Sequence, residues 1–179
     1  MCIRDRFESL IRAVAHQQLH ARAAEAMMGR LAVHGAGFLP SPEEMLALPG
    51  TALRECGFSG AKTAAIHAVC EARLSGVVPT RRQAVRLSDD ELIARLVSLR
   101  GIGRWTVEML LIFSLGRRDV MPVDDFGVRE GYRRIKRLAV QPKPRELAAA
   151  TASWAPYRSF AAWYLWRAAD EGKRIAPGA

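Results

Sequence analysis

The segment LRGIGRWTVEMLLIFSLGRRDVMPVDDFGVREGY, Leu99 to Tyr132, joins a glycine turn, a tryptophan near a helix start, a nearly apolar helix and a pair of aspartates among several arginines. Its first part is a corner between two helices, because Gly101 and Gly103 permit left-handed geometry and close backbone approach. The amides that open the following helix can hold a phosphate, with Arg100 and Arg104 flanking them. Such a contact reads the position of a duplex rather than its sequence. A plain connector between two helices fits the same residues. Further on, PVDDF presents Asp124 and Asp125 just after Pro122. One carboxylate there caps the next helix. Two adjacent acids need not share a task, so Asp124 could cap while Asp125 faces a cleft. A carboxylate in a basic groove stays ionised and can stabilise positive charge developing on a sugar, or orient water.

Outward from this stretch the chain reads as helix after helix, with little strand-like alternation. Phe7, Leu10, Ile11 and Val14 fall on one helical face, and Ala21 to Leu31 continues as a second helix. SPEE at Ser41 to Glu44 offers a cap, a proline at the first helical position and an acid at the third. PGTALRECGFSG bends the chain, Ala61 to Leu74 forms another helix, and Ser75 to Ala84 reads as a loop. SDDE at Ser88 to Glu91 is a capping box for a helix through Ser98. The turn at LRGIG leads into a helix from Arg104 to Leu115, the link GRRDVMPV, and a helix beginning near Asp124. Pro142 and Pro144 interrupt the chain before helical segments at Arg145 to Ala150 and Tyr157 to Asp170. The expectation is an all-α protein with two helical lobes around a cleft, and DNA contact where helix ends converge.

A chain of 179 residues with 50% apolar side chains makes one domain or two small lobes sharing a core. Its formal net charge of +9, carried mainly by arginine, favours a polyanionic partner, nucleic acid ahead of a membrane surface. Apolar runs such as Met109 to Phe113 are far too short to span a bilayer. MCIRDR lacks the apolar core of a signal peptide, and residues 1–6 read as a leader or a truncated start. Cys2, Cys56 and Cys70 have no ligand spacing, and His16, His20, His34 and His67 form no metal set. A side-chain metal site and a disulfide framework are therefore not expected, and the chain reads as intracellular.

Aromatic residues concentrate near the C-terminus: Trp154, Trp163 and Trp166 beside Tyr157, Phe160 and Tyr164. Flipped bases are held between aromatic faces, and an alkylated purine with positive charge gains cation–π attraction. Trp105 fits that task or a core position. Trp163 and Trp166, three apart on one helix, read as core packing.

GIGRWTVEMLLIFSLGRRDVMPVDDFGVREGYRR, with FESLIRAVAHQQLHARAA from Phe7 and WAPYRSFAAWYLW at Trp154 to Trp166, resembles the helix-hairpin-helix DNA glycosylases. The likeness is to their 3-methyladenine-DNA glycosylase II branch, which removes alkylated bases, and it covers nearly the whole chain. The resemblance implies that Asp125 is the catalytic aspartate, stabilising an oxocarbenium-like sugar and helping to position water. Trp105 falls where lyase members place a Schiff-base lysine. That implies a monofunctional hydrolase leaving an abasic site, the first step of base excision repair, and the segment offers no reactive lysine before Lys136. Trp105 and Trp154 match pocket aromatics, and Met109 stands at a pocket position often filled by tyrosine. Phe126 lines the pocket or buries against the next helix.

Gln17 and Gln18 match the loop that fills the gap left by a flipped nucleotide, with a helix-surface role as the alternative. Arg100, Gly101, Gly103 and Arg104 would hold DNA. No cofactor is required, although the family hairpin often takes a monovalent cation on backbone carbonyls, here those of Leu99, Gly101 and Gly103. The cysteine quartet of the iron–sulfur branch and an N-terminal sheet-containing domain are missing from the pattern. The expected partner is duplex DNA containing alkylated bases, bound by a monomer in the bacterial cytoplasm, with no membrane. Two rival readings keep parts of this account. One is a noncatalytic helix-hairpin-helix DNA-binding module in which PVDDF only caps. The other is a glycosylase of different base specificity.

Overall fold

The computed structural model describes residues 6–175, so the expected leader lies outside the described residues except for Arg6, which opens the first helix. Cys2 lies outside them as well. The described residues form eleven α-helices, a π-helical turn and a 3-10 turn, with no strand among them. They divide into two compact units, one ending at Leu110 and one beginning at Leu111.

The first unit contains α1 (Arg6–His16), α2 (Ala21–Val33), α3 (Pro42–Ala47), α4 (Ala52–Glu55), α5 (Gly60–Leu74), α6 (Arg81–Ala84), α7 (Asp89–Leu96) and α8 (Arg104–Met109). The apolar face of α1, Phe7, Leu10, Ile11 and Val14, is buried, and this helix packs on α2, α5 and α8. Leu31, Met45, Leu53, Phe58 and Ile66 are fully enclosed. Burying each such side chain is worth about 2 kcal/mol. Helices as short as α4 and α6 would not persist alone, so this interior sustains them. Cys70 belongs to the same interior, where burial pushes its thiol up to about 12 and keeps it neutral.

Both capping boxes expected from sequence form. Ser41 and Ser88 each donate their backbone N–H to the carboxylate three residues on, at 2.7 Å. Two short helices depart from expectation. The bend after Pro49 holds α4, and the expected loop at Ser75 to Ala84 holds α6. There the Thr80 N–H donates to Gln83 Oε1 at 2.9 Å, so TRRQ is itself a capping signature. Helix α7 stops at Leu96 rather than Ser98, because the chain must turn into the hairpin.

The expected single helix from Arg104 to Leu115 is also corrected. Helix α8 ends at Met109 and the chain continues as a π-helical turn over Leu110–Ser114. The Arg117 N–H then closes on the Leu111 carbonyl at 2.9 Å. A π-helical insertion rotates the side chains that follow it relative to a continuous α-helix, and such turns gather at functional sites.

The second unit contains α9 (Phe126–Ile135), α10 (Pro144–Ala150), the 3-10 turn Ala152–Trp154 and α11 (Arg158–Ile175). Its core joins Met121, Val128, Leu147, Ala162 and Leu165. Helices α9 and α11 approach closely because Gly131 has no side chain: a Cβ there would overlap the Leu165 carbonyl and stand 2.8 Å from its Cα. The core-packing expectation for Trp163 does not hold. This ring is exposed, with the Arg167 guanidinium 5.2 Å above it and Tyr164 packed edge-on. Three residues on, Trp166 is partly buried against the core. A spacing of three places two side chains near one another on a helix but does not give them equal depth.

The link before α9 is bound to the start of α11. Arg158 grips Asp119 through Nε and Nη2 at 2.7 and 2.8 Å, and Ser159 Oγ accepts from the Val120 N–H at 2.9 Å. The hydrogen bond from Arg158 holds the Asp119 carboxyl below its usual range. Arg133, Gln141 and Arg134 do the same, more strongly, for Glu130. Both carboxyls are depressed in the folded state. Their stabilisation is therefore complete above the ordinary carboxylate pKa of about 4 and is lost as pH falls through the lower folded values. Urea unfolding followed against pH should show stability dropping below about pH 4. Asp119→Asn and Glu130→Gln should each lower stability at neutral pH and flatten that acid limb; an unchanged limb would show that these pairs contribute nothing.

Candidate functional site

Asp125 is positioned by a short turn in which its own N–H donates to the Pro122 carbonyl at 3.0 Å. The proline, buried in the unit, ends the preceding link and aims the chain into α9. Asp125 is the N-cap of that helix: its Oδ1 accepts from the Val128 N–H at 2.8 Å. The division of labour suggested by the paired acids is thereby corrected. Asp125 does the capping, and Asp124 is exposed. Capping does not remove Asp125 from chemistry, because the positive end of the α9 dipole supports its negative charge.

A second bond identifies a residue that the sequence reading missed. Trp166 Nε1–H donates to the same Asp125 Oδ1 at 2.8 Å. The indole ring also stacks on Phe113 of the π-helical turn, with centroids 5.6 Å apart and planes inclined by 28°. Gly127 leaves room for this arrangement, since a Cβ there would come within 2.9 Å of the indole. A partly buried tryptophan N–H requires an acceptor. That requirement, with a carboxylate at a helix start, was the signal available in the sequence, although nothing in it placed α11 against α9 at this register. Phe113 was hidden because the π-helical turn was read as continuous α-helix.

The expected pocket residues of this unit separate. Phe126, the first residue of α9 after its N-cap Asp125, is 66% exposed, which removes burial against the next helix as its role. Trp154 packs against the hydrophobic core, its ring tilted against Tyr132 with centroids 6.0 Å apart. The carboxylate and the indole that fixes it, with the exposed Phe113 ring stacked on that indole, make a rigid anionic point bordered by aromatic surface. Such a point can stabilise adjacent positive charge.

In the first unit the hairpin is formed by α7 and α8. Gly101 has φ 79°, and a Cβ there would stand 2.5 Å from that of Ala65. Both the backbone conformation and the close approach call for glycine. Gly103 is the N-cap of α8, and Arg100 and Gly103 are exposed. Trp105 and Met109, at the two ends of α8, are partly buried. Arg104 is not simply a free cation: its Nε donates at 2.9 Å to the buried carboxylate of Glu108, while its side chain remains 57% exposed.

Gln17 and Gln18 take different tasks. Gln17 Nε2 donates to the Gly101 carbonyl at 3.0 Å and to Thr106 Oγ1 at 3.2 Å, so both of its amide hydrogens hold the hairpin in place. Gln18 is exposed, in the left-handed region at φ 55°. Of the two amides expected at a DNA gap, Gln17 is thus engaged with the hairpin and Gln18 is exposed. The carbonyls of Leu99, Gly101 and Gly103 each accept one hydrogen bond, from Ile102, Gln17 and Val107 respectively. Among the described residues, no three His, Cys, Asp or Glu side chains gather as a metal site.

Residues 11–156 match the model of the HhH-GPD superfamily base excision DNA repair proteins. The chain is 47% identical over 175 residues to DNA-3-methyladenine glycosylase 1 of Schizosaccharomyces pombe, covering 96% of this chain and 77% of that protein. The solved structure of the S. pombe enzyme Mag1 with abasic DNA superposes with a TM-score of 0.87 over 92% of this chain and 80% of the other. A DNA-3-methyladenine glycosidase from Bacillus halodurans, 34% identical, superposes with a TM-score of 0.84 over 96% and 79% of the two chains. These relatives come from a yeast and a bacterium, so they give no support to the expectation of a bacterial source.

Proposed function

The chain belongs to the HhH-GPD superfamily of base excision DNA repair proteins, and from that premise we propose that it is a monofunctional glycosylase of the 3-methyladenine-DNA glycosylase II branch. Its substrates are alkylated purines in duplex DNA, 3-methyladenine and 7-methylguanine among them. The observation that carries this reading is the fixed Asp125 carboxylate, bonded at 2.8 Å by both its helix and Trp166, whose indole stacks on the exposed Phe113 ring.

An alkyl group at purine N3 or N7 makes the base cationic and weakens its bond to the sugar. When the C1′–N9 bond breaks, the electron pair leaves with the base and positive charge develops on the sugar. The base is already cationic, so no strong protein acid is needed. The Asp125 carboxylate stabilises the sugar cation and orients the water that adds to C1′. The aromatic rings favour a flat cation through cation–π attraction. No covalent amine step is required. In the first unit, the single lysine among the described residues, Lys62, donates to the Ala15 carbonyl at 2.8 Å. Trp105, partly buried on α8, occupies the position at which lyase relatives would carry their lysine. The hairpin amides at Gly101 and Gly103, with Arg100 and the exposed part of Arg104, contact phosphates, and Gln18 fills the gap left by the flipped nucleotide. The second lone pairs of the Leu99, Gly101 and Gly103 carbonyls would hold a monovalent cation. The protein acts as a monomer on DNA.

Trp166→Phe keeps a ring to stack on Phe113 and removes only the N–H donor. A hydrogen bond to a charged acceptor is worth about 1.5–3 kcal/mol. Single-turnover base release should therefore fall roughly tenfold or more, with affinity for abasic DNA little changed. An unaltered rate would show that the indole does not act through Asp125.

The reading is tested by incubating the protein with duplex DNA methylated at purines. Strand breaks should appear only after alkali, as abasic sites require. Breaks without alkali would reveal a lyase. Salt-sensitive binding with no abasic sites would favour the noncatalytic module.

A further inference from the structure

A groove of about 370 Å³ lies on the second unit, apart from the Asp125 constellation in its lining residues. Its walls include Tyr132, Leu138, Val140, Pro142 and Ala150, and Val140 is 76% exposed. Ile135, just before this segment, is also exposed. The segment is held in place rather than merely draped on the surface. Gln141 Nε2 donates to Glu130 Oε2 at 3.0 Å, and Arg133 Nη1 donates to the Leu138 carbonyl at 3.2 Å. Arg137 turns the chain in the left-handed region at φ 53°.

The charges around the groove are unequal. Glu130 neutralises part of the charge of Arg133 and Arg134, with which it pairs at 2.7 Å. Lys136, Arg137, Lys143 and Arg145 are exposed, and none has a carboxylate partner for its side chain among the described residues. One acid, Glu146, lines the groove, and its carboxylate accepts from the Lys143 backbone N–H at 2.7 Å. Four cations without a carboxylate partner thus stand within two residues in sequence of positions that line the groove, and one acid is among the lining residues themselves.

We propose that this groove is a docking site for an acidic segment of a partner protein that inserts an aliphatic or aromatic side chain between Leu138 and Val140. The cations select negative charge, and the apolar floor selects a side chain that a sugar–phosphate backbone does not possess. Duplex DNA would engage the cations and leave Val140 and Leu138 without a partner. A peptide that alternates acids with Leu or Phe satisfies both. This inference does not depend on the proposed activity, because no groove residue belongs to the Asp125 constellation.

The test measures fluorescence anisotropy of a labelled peptide alternating Asp or Glu with Leu and Phe, beside an equally charged peptide with Ser in the apolar places. The wild type should bind the first about tenfold more tightly than the second, corresponding to one buried apolar anchor. Val140→Asp, at an exposed position, should remove that preference while base release stays unchanged. The double variant Lys136→Glu and Arg145→Glu should weaken both peptides. Equal affinity for the two peptides, or a preference that survives Val140→Asp, would overturn the proposal. Loss of undamaged-duplex affinity in the double variant without any peptide preference in the wild type would assign the surface to DNA instead. A wild-type dimer in sedimentation that Val140→Asp dissociates would assign it to a second copy.

Discussion

Asp125→Asn should lower base release by about a hundred- to a thousandfold, the range found when one preorganised electrostatic group is removed from an active site. The substitution separates chemistry from folding. Asparagine is as good an N-cap as aspartate, and its Oδ1 can still accept from the Val128 N–H and Trp166 Nε1–H, the two bonds that Asp125 makes at 2.8 Å. Only the negative charge disappears. The unfolding midpoint should stay close to that of the wild type, and binding to abasic duplex should persist. Asp125→Ala is the contrasting variant: it loses the charge and also the cap, at a further cost of about 1 kcal/mol in stability. A fall in activity matched by an equal loss of folded protein in Asp125→Asn would remove the assignment of a chemical role.

Gly131→Ala should be the most damaging single methyl addition to the second unit. Its Cβ would meet the carbonyl and Cα of Leu165, backbone atoms of α11 that cannot rotate away. Helices α9 and α11 would have to separate, disturbing the core shared by Val128, Ala162 and Leu165. Overpacking costs about 1–3 kcal/mol and sometimes more, and a clash with backbone belongs at the upper end. The same displacement would pull Trp166 from Asp125, since Trp166 lies on α11 and Asp125 caps α9. Base release should therefore fall together with stability in urea titrations. A variant of wild-type stability would mean that the two helices are not locked at Gly131.

Much of this was legible in the sequence because it depends on local chemistry. The S-x-x-E boxes, the period of α1 and the turn at Gly101 are written in residues a few positions apart, and the structure shows each. Asp125 was legible as one of two adjacent acids, but which acid caps depended on where the turn from Pro122 delivers the chain. The partners of Asp125 were not legible. Trp166 is distant in sequence, and its inward rotation relative to Trp163 is set by packing on α9. The π-helical turn that exposes Phe113 has no composition of its own, because Leu, Ile and Phe serve equally in an α-helix. The bonds of Gln17 to the hairpin were not legible for a related reason. A glutamine before a turn can face solvent or brace a neighbouring backbone, and only the approach of the hairpin to the end of α1 decides between them.

Chromatographic identification of the free base released by the wild-type protein from a purine-methylated duplex tests the central claim most directly. The account predicts 3-methyladenine or 7-methylguanine as free bases, appearing with abasic sites in equal number and released about a hundredfold or more slowly when Asp125→Asn replaces the wild type. Release of other bases with methylated purines left in place, or no release by a folded protein that binds the duplex, would contradict it.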